Sequence, residues 1–256
     1  MKLSNSQINH FHLKGFFLIP NPFGWETMLE VERLQRENLP KWESTDWPDG
    51  HNIGACQFLM MKEQALELVE RPETVAIACE LLGTEDIHVG ACGMGDSSKT
   101  VSSDGRAKIQ VQWHADGGPD VKQVSFRTAL DRHDTSNGPL RVLPGTHLMP
   151  REEVSEELRQ LEIATGTHDE NPELCFSEHP AEVEVKLDPR WTLVWTPSCW
   201  HATGEKTAAG PRRAMAWNYY PAGGRTRDLE SLKRIFDGKW EGWSDDRKRL
   251  WGILEN

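Results

Sequence analysis

From residue 109 onward, short apolar segments alternate with glycine- and proline-containing turns, and this pattern restricts the fold more than any other feature of the chain. Many short strands separated by such turns are typical of two β-sheets that pack face to face. We therefore expect a mainly β protein with flanking helices and a jelly-roll core. The first expected strand begins at residue 109, and the others span 124–130, 140–143, 182–187, 192–195 and 214–219.

The N-terminal third of the chain has helical spacing, because its apolar residues recur at intervals of three and four. The predicted helices span 7–14, 25–38, 62–69 and 72–82. A length of 256 residues suits one domain, since jelly rolls of this size commonly form a single core. We predict one domain over residues 1–256, with the helical third packed on a β core from about 85 to 222 and a helical C-terminal tail.

Two further segments allow alternative interpretations. The polar, glycine-bearing stretch 93–105 fits either a surface loop or a lid over substrate. Trp240, Trp243 and Trp251 lie in the charged C-terminal tail, where they are expected to fasten helices to the sheet. A subunit interface is the alternative for these tryptophans, so the chain is expected to be a monomer or a homodimer.

The segment Val111–Gly118 reads Val-Gln-Trp-His-Ala-Asp-Gly-Gly and leads from an apolar strand into a glycine turn. Successive side chains of a strand point to opposite faces, so His114 and Asp116 are predicted to leave the same side and bind one metal ion. His201, at the end of another apolar run, is the leading candidate for the third ligand. Two histidines and one carboxylate leave coordination positions open, as in non-haem iron(II) oxygenases.

Other interpretations of these histidines remain open at this point. With ten histidines in the chain, a His-x-Asp pair also arises by accident, and the same strand face fits an ordinary solvated surface. His147, in a Pro-Gly-Thr-His turn, is an alternative ligand, although a turn histidine is more often structural. His133, His168 and His179 lie in polar, loop-like sequence, and we expect all three to be solvated.

Strand alternation also assigns neighbours to the predicted site. Lys108, Gln110 and Gln112 share the face of His114. After His201, a loop of small residues ends at a proline and is followed by Arg212 and Arg213, which must face opposite ways on one strand. The spacing from His201 selects Arg212, on the face of Asn218, as the guanidinium beside the metal. Arginine grips a carboxylate through two parallel hydrogen bonds, so Arg212 suits the far end of a dicarboxylic acid.

Several motifs together resemble the phytanoyl-CoA dioxygenase family of iron(II)/2-oxoglutarate oxygenases nearly from end to end. They are the opening segment 3–20, Ala129-Leu130-Asp131, the run from Asn137-Gly138-Pro139 to Pro144-Gly145-Thr146-His147, and the ordered set His114, Asp116, His201 and Arg212. The resemblance implies a double-stranded β-helix of the cupin-like type with Fe(II) and 2-oxoglutarate as cofactors. It implies iron binding by His114, Asp116 and His201, and pairing of Arg212 and Thr203 with the distal carboxylate of 2-oxoglutarate. We also assign Gln112 to cofactor binding.

The activity implied by this resemblance is oxidation of a C–H bond by O2, with release of succinate and CO2. Hydroxylation is the expected outcome, with desaturation, cyclisation and epimerisation as alternatives. Arg127 departs from the family pattern, which often has an aromatic residue there, and with Lys108, Gln110 and Asn218 it predicts a small polar or anionic substrate. A non-catalytic jelly-roll binding protein and a cupin-like metalloenzyme that uses no 2-oxoglutarate are the competing functions.

Composition limits the partners of the chain. The formal net charge of −11 and the absence of a long basic cluster argue against nucleic-acid binding. No apolar run reaches the length of a membrane span, and no signal-peptide core opens the sequence. The five cysteines form no Cys-x-x-Cys pair, which favours reduced thiols and a cytoplasmic location.

Overall fold

Two antiparallel sheets form the centre of the protein. The structure is a computed structural model, and it describes residues 2–43, 68–96, 111–165, 175–224, 233 and 238–254. The strands are β1 (Phe16–Pro20), β2 (Ile87–Asp96), β3 (Val111–His114), β4 (Val124–Ala129), β5 (Leu140–Val142), β6 (Val183–Val185), β7 (Trp191–Trp195), β8 (His201–Thr203) and β9 (Arg213–Pro221). A five-stranded sheet has the order β1-β7-β4-β9-β2, and a four-stranded sheet has the order β3-β8-β5-β6. This arrangement confirms the predicted jelly roll.

The helices lie mainly before the sheets in the chain. They are α1 (Asn5–Lys14), α2 (Trp25–Glu43), α3 (Pro72–Leu82), α4 (Arg151–Thr165) and α5 (Asp245–Leu250). Helix α1 starts with a capping box, in which Ser4 Oγ accepts from the Gln7 N–H and the Gln7 side chain accepts from the Ser4 N–H. Gly15, with φ of 88°, ends the helix in the left-handed conformation. None of the described helices has the length and apolar character of a membrane span.

Apolar side chains pack in three layers. The outer face of the five-stranded sheet packs against the helices through residues that include Phe126, Met215, Trp217, Tyr219 and Trp251. The space between the two sheets holds Ala129, Leu140, Val142, Leu193 and Trp195. The outer face of the four-stranded sheet packs against α4 through Trp113, Val154, Leu158 and Ala202. Strand residues therefore alternate between a helix-covered face and the interior, where polar residues also lie.

Some predicted elements differ from the observed ones. Residues 93–96, predicted as part of a loop or lid, continue β2, because β9 offers them an antiparallel partner from Gly93 opposite Ala216 to Asp96 opposite Arg213. Residues 97–105, the predicted helix residues 62–67, Lys108, Gln110 and His168 lie outside the described residues. Strand β8 was not predicted, since three residues are too few to show an alternating pattern.

The C-terminal tail is tied to the helical layer by one carboxylate. Glu70 accepts from Arg247 Nη2 at 2.6 Å and from Trp251 Nε1 at 2.8 Å. Trp243 and Trp251 are buried beside these bonds in the core between helices and sheet. The tail therefore packs on the same face of the five-stranded sheet as the helices. Other residues fill the space between the two sheets.

Glu162 is a buried carboxylate that joins α4 to the chain before β6. Its Oε2 accepts from the Phe176 N–H at 3.0 Å, the Ser177 N–H at 3.2 Å and Ser177 Oγ at 2.7 Å. Burial alone raises the pKa of Glu162, but these hydrogen bonds to the charged form lower it below its ordinary value of 4.5. The carboxylate therefore stabilises the fold when it is ionised.

We expect Glu162→Gln to lower the free energy of unfolding by about 1–3 kcal/mol at pH 7, because it leaves buried N–H donors poorly paired. Since the folded pKa is depressed, the wild-type advantage should be complete above 4.5, the ordinary pKa of the carboxyl, and should shrink as the pH falls below that value. Urea unfolding at pH 7 and at lower pH measures both effects. Glu178→Gln, at an exposed neighbour, is the control and should change little. An equal loss at every pH would contradict this account.

Candidate active site

Strand pairing brings the first two candidate ligands together. In the antiparallel pair of β3 and β8, His114 lies directly opposite His201. The centroids of the two imidazole rings are 4.2 Å apart. A register irregularity between Val111 and His114 adds one residue to β3 relative to β8. The pairing across the sheet therefore fixes the separation of residues that are far apart in sequence.

Backbone carbonyls set the orientation of both imidazoles. His114 Nδ1 lies 2.9 Å from the Gln112 carbonyl oxygen, and His201 Nδ1 lies 2.9 Å from the Cys199 carbonyl oxygen. A carbonyl only accepts, so each Nδ1 carries the proton and each Nε2 keeps its lone pair. This is the usual support of a metal-binding histidine. Gln112 thus contacts the site through its backbone carbonyl.

Asp116 reaches the histidines from beyond the end of the strand. Strand β3 ends at His114, so the predicted strand alternation is not what places Asp116; instead, a bend does, in which the Asp116 N–H donates to the Pro197 carbonyl at 2.9 Å. Pro197 precedes His201 in the turn that enters β8, so this backbone hydrogen bond holds the Asp116 backbone next to the turn that carries the second histidine. Asp116 Oδ1 lies 3.8 Å from His114 Nε2. The candidate ligand atoms of His114, Asp116 and His201 all lie within 4.8 Å of one another.

The electrostatics of this group favour metal binding. His201 is buried, and burial, followed by the charge of His114, lowers its pKa to about 4. The imidazole is therefore neutral near pH 7, which is the form that binds a metal. Two imidazole nitrogens and one carboxylate oxygen suit a divalent transition metal and leave further coordination positions open.

Arg212 is a buried cation without a carboxylate partner among the described residues. Its side chain is 4% exposed, and Nε donates to the Gly138 carbonyl at 2.8 Å. Nη2 is buried with no hydrogen-bond partner. Burial, followed by the charge of Arg127, lowers the pKa of Arg212 to about 9, so that the group stays charged near neutral pH. A buried guanidinium of this kind requires an anion.

Asn137 and Gly138 position Arg212, a role that sequence reasoning did not assign to them. Gly138 has φ of 65°, and a Cβ atom there would lie 2.8 Å from Arg212 Nε. Asn137 Nδ2 donates to the Pro211 carbonyl at 3.1 Å and to the Arg132 carbonyl at 2.7 Å. The Asn-Gly pair before β5 was the available signal, because asparagine and glycine favour such turns.

Arg213 takes the opposite face, as strand alternation predicts. It pairs with Asp131 at 2.6 Å and with Glu32 of α2 at 2.7 Å. Met215 and Trp217, which follow it at alternate positions of β9, lie in the cluster against the helices. By alternation, Arg212 therefore lies on the same side as the residues of β9 that face the interior. Arg213 lies on the other side and ties the sheet to the helical layer.

Arg127 and His133 add to the polar interior. Arg127 lies on β4 opposite Leu193, a member of the apolar cluster between the sheets. His133 is 1% exposed, so the expectation that it is solvated was wrong. Its Nε2 donates to the Arg213 carbonyl at 3.1 Å, and burial, followed by Arg127 and Arg212, lowers its pKa to about 2. The loop-like sequence around His133 did not reveal this burial, which depends on β9.

Three predicted residues remain, and each has a different environment. Thr203 is buried and lies two residues after His201, on the same face of β8. Asn218 lies against the backbone of Gly90, where a Cβ atom would meet its Oδ1 at 2.1 Å. His147 is absent from the candidate ligand group among the described residues, and its Nε2 donates to the His12 carbonyl at 3.2 Å.

Comparison with protein families and curated proteins identifies relatives. The family model of phytanoyl-CoA dioxygenase (PhyH) matches residues 11–214. The chain is 25% identical over 177 residues to the ectoine dioxygenase of Bordetella bronchiseptica. This match covers 62% of the chain and 57% of the relative, so the chain spans little more than half of that protein.

Two solved structures have a similar fold. EctD from S. alaskensis with bound Fe has a TM-score of 0.63 at 17% identity, over 88% of this chain and 79% of that chain. The epimerase SnoN from nogalamycin biosynthesis, in complex with Fe3+, alpha ketoglutarate and nogalamycin RO, has a TM-score of 0.62 at 15% identity, over 85% of this chain and 83% of that chain. Alpha ketoglutarate is 2-oxoglutarate.

The family match extends from α1 into β9 and includes every candidate ligand as well as Arg212. Both sheets have the order expected of a jelly roll, and the similar structures carry iron in one case and iron with 2-oxoglutarate in the other. Because the family model matches more than half of the chain, this chain belongs to the phytanoyl-CoA dioxygenase family, as its motifs predict.

Proposed function

We propose that this protein uses Fe(II) and 2-oxoglutarate to hydroxylate a C–H bond of a small, polar or anionic organic molecule, with release of succinate and CO2. The observation that carries the proposal is the combination of two features. Three ligand atoms lie within 4.8 Å of one another, and Arg212 is buried without an anion among the described residues. The family relationship makes iron and 2-oxoglutarate the groups to test against these features.

The described residues fit both groups. His114, Asp116 and His201 would hold iron through two nitrogens and one oxygen, the donor set of such oxygenases. Arg212 would hold the distal carboxylate of 2-oxoglutarate, which would satisfy the unpaired Nη2. Thr203 and Gln112 are the further residues that we assign to the cosubstrate. When bound, iron and 2-oxoglutarate together supply the oxidising power from O2.

Hydrogen bonds within the chain orient the residues that would hold iron and 2-oxoglutarate. The carbonyls of Gln112 and Cys199 hold the imidazole tautomers, and the hydrogen bond from the Asp116 N–H to the Pro197 carbonyl holds the backbone that carries the Asp116 carboxylate. The apolar cluster between the sheets borders the polar interior, while the side chains of His114 and Asp116 are 36% and 55% exposed. Arg212 is fixed in advance by Gly138, so little side-chain freedom is lost when a carboxylate binds.

The substrate assignment rests on polar residues near the site. Arg127 and Asn218 lie on interior positions of β4 and β9, and Lys108 and Gln110 are the further predicted contacts, outside the described residues. A cytoplasmic location, a monomeric or homodimeric state, and the absence of nucleic-acid and membrane partners stay predictions from composition.

The direct test is succinate formation from 2-oxoglutarate by the purified protein with Fe(II) in air. We expect succinate to form slowly without a primary substrate and faster with a suitable polar or anionic molecule. Mass spectrometry of the product separates hydroxylation from desaturation, cyclisation and epimerisation. Absence of succinate with bound iron would favour a non-catalytic binding protein, and turnover of a substrate without 2-oxoglutarate would favour a cupin-like metalloenzyme.

Replacing any one of His114, Asp116 or His201 by Ala should abolish stoichiometric Fe(II) binding and succinate formation. The fold should stay nearly intact, because most of the apolar core lies in other layers. Metal analysis after desalting, together with circular dichroism, measures the two effects. His147→Ala is the matched control, since that side chain lies outside the ligand group. If His147→Ala lost iron while His201→Ala kept it, the third ligand would be wrong.

Arg212→Ala should raise KM for 2-oxoglutarate by about tenfold or more, the scale of a lost charge-assisted hydrogen bond of roughly 1.5–3 kcal/mol. Arg213→Ala should lower the free energy of unfolding and leave this KM nearly unchanged, because its partners Asp131 and Glu32 lie toward the helices. Initial rates of succinate formation, normalised to folded protein, provide the comparison. A larger change in KM for Arg213→Ala would show that the faces of β9 are assigned the wrong way round.

A further inference from the structure

Arg127 lies at the centre of the five-stranded sheet. Strand β4 is flanked by β7 and β9, and Arg127 is opposite Leu193 on one side and Ala216 on the other. Residues directly opposite in antiparallel strands share a face, and Leu193 belongs to the cluster between the sheets. The neighbouring Phe126 lies in the cluster against the helices. The Arg127 side chain therefore extends into the interior that holds the candidate metal ligands.

Unlike its neighbours, Arg127 has no carboxylate partner among the described residues. Arg132 pairs with Asp134 at 3.0 Å, Arg141 pairs with Glu182 at 2.6 Å, and Arg213 pairs with Asp131 at 2.6 Å. Arg127 forms no such pair within the described chain, and its Nε is buried without a hydrogen-bond partner. Arg127 is partly buried, so its charge is incompletely solvated as well as unpaired among the described residues, and an anion that binds there would explain this position.

Charge balance indicates which anion this is. Among the described interior residues, the two positive charges of Fe(II) and the single charge of Arg212 would balance Asp116 and the two carboxylates of 2-oxoglutarate. Arg127 then adds one positive charge that neither cofactor neutralises. Burial lowers the pKa of Arg127 to about 10, which leaves the guanidinium protonated near neutral pH. One further negative charge is required in the same chamber.

We propose that Arg127 is the anchor for a single anionic group, such as a carboxylate, on the primary substrate. This inference rests on the proposed function, because it assumes that iron and 2-oxoglutarate occupy the remainder of the site. A guanidinium binds a carboxylate through two parallel hydrogen bonds, so Arg127 would select both the charge and the orientation of the substrate. The same position would discriminate against a neutral molecule of identical shape.

The first test measures the stability of the protein without added ligands. Arg127→Met keeps a long side chain and removes the charge, so this variant should unfold at the same or a higher urea concentration than the wild type. The reason is that the wild-type charge has no partner among the described residues of the free protein. A marked loss of stability in Arg127→Met would mean that the chain itself supplies a partner, and the proposal would be overturned.

The second test measures binding to the holoenzyme with Fe(II) and saturating 2-oxoglutarate under argon, where no turnover occurs. Titration calorimetry compares two pairs of probes that differ in charge and match in shape, namely benzoate with benzamide and butyrate with butyramide. The wild type should bind at least one carboxylate about tenfold or more tightly than its amide. Arg127→Met should abolish this preference, and Arg127→Lys should retain part of it. Arg132→Met, at an exposed arginine nearby, should behave as the wild type.

In this titration, three results would overturn the assignment of Arg127 to the substrate. They are equal binding of carboxylates and amides by the wild type, absence of any carboxylate binding at millimolar concentration, and retention of the charge preference by Arg127→Met. A loss of 2-oxoglutarate affinity in Arg127→Met as large as that in Arg212→Ala would assign Arg127 to the cosubstrate instead. Succinate formation by the same wild-type preparation in air keeps the two proposals separate. If no succinate forms, the proposed function itself has failed, whatever the probes show.

Discussion

The site depends on one piece of strand pairing, that of β3 with β8. It sets His114 opposite His201, and the bond from the Asp116 N–H to the Pro197 carbonyl then brings the carboxylate to the same place. A slip of one residue in this pair would turn one histidine to the outer face, where Trp113 and Ala202 pack against α4. Burial of Trp113 and Ala202 on the apolar outer face therefore holds the register of β3 and β8. That register keeps both candidate histidine ligands on the polar inner face.

The interior of the jelly roll contains two arginine side chains for which the described residues supply no carboxylate. Arg127 and Arg212 both lack carboxylates among the described residues. Burial, followed by the charges of these two arginines, lowers the pKa of His133, so its imidazole is neutral near pH 7. Such a cluster opposes folding unless anions bind, since buried like charges repel one another. A ligand that binds only the folded protein stabilises it by mass action. Binding of 2-oxoglutarate and of an anionic substrate would thus stabilise the same interior that carries out the reaction.

Strand alternation made part of the site predictable from sequence, whereas the parts that depend on tertiary contacts were missed. The opposite faces of Arg212 and Arg213 were predictable, because β9 is long and regular. The bend that carries Asp116, the burial of His133 and the place of Gly138 beneath Arg212 were not, since each depends on a residue from a distant segment. Strand β8 gave no alternating pattern, although its His201 was recognisable from chemistry. Periodicity describes one element at a time, whereas the site is formed where several elements meet.

The reaction outcome is decided by features that the fold does not fix. A carbocyclase and an epimerase from nogalamycin biosynthesis have nearly the same backbone similarity to this chain, with TM-scores of 0.63 and 0.62, so the jelly roll is compatible with more than one chemistry. The differences between such proteins must lie in the interior side chains that meet the substrate. In this chain the residue proposed to meet the substrate is Arg127, which lies on β4 opposite Leu193 and has no carboxylate partner among the described residues. A substitution at position 127 of β4 would leave the candidate metal ligands in place, because they lie on β3, on β8 and in the bend after β3.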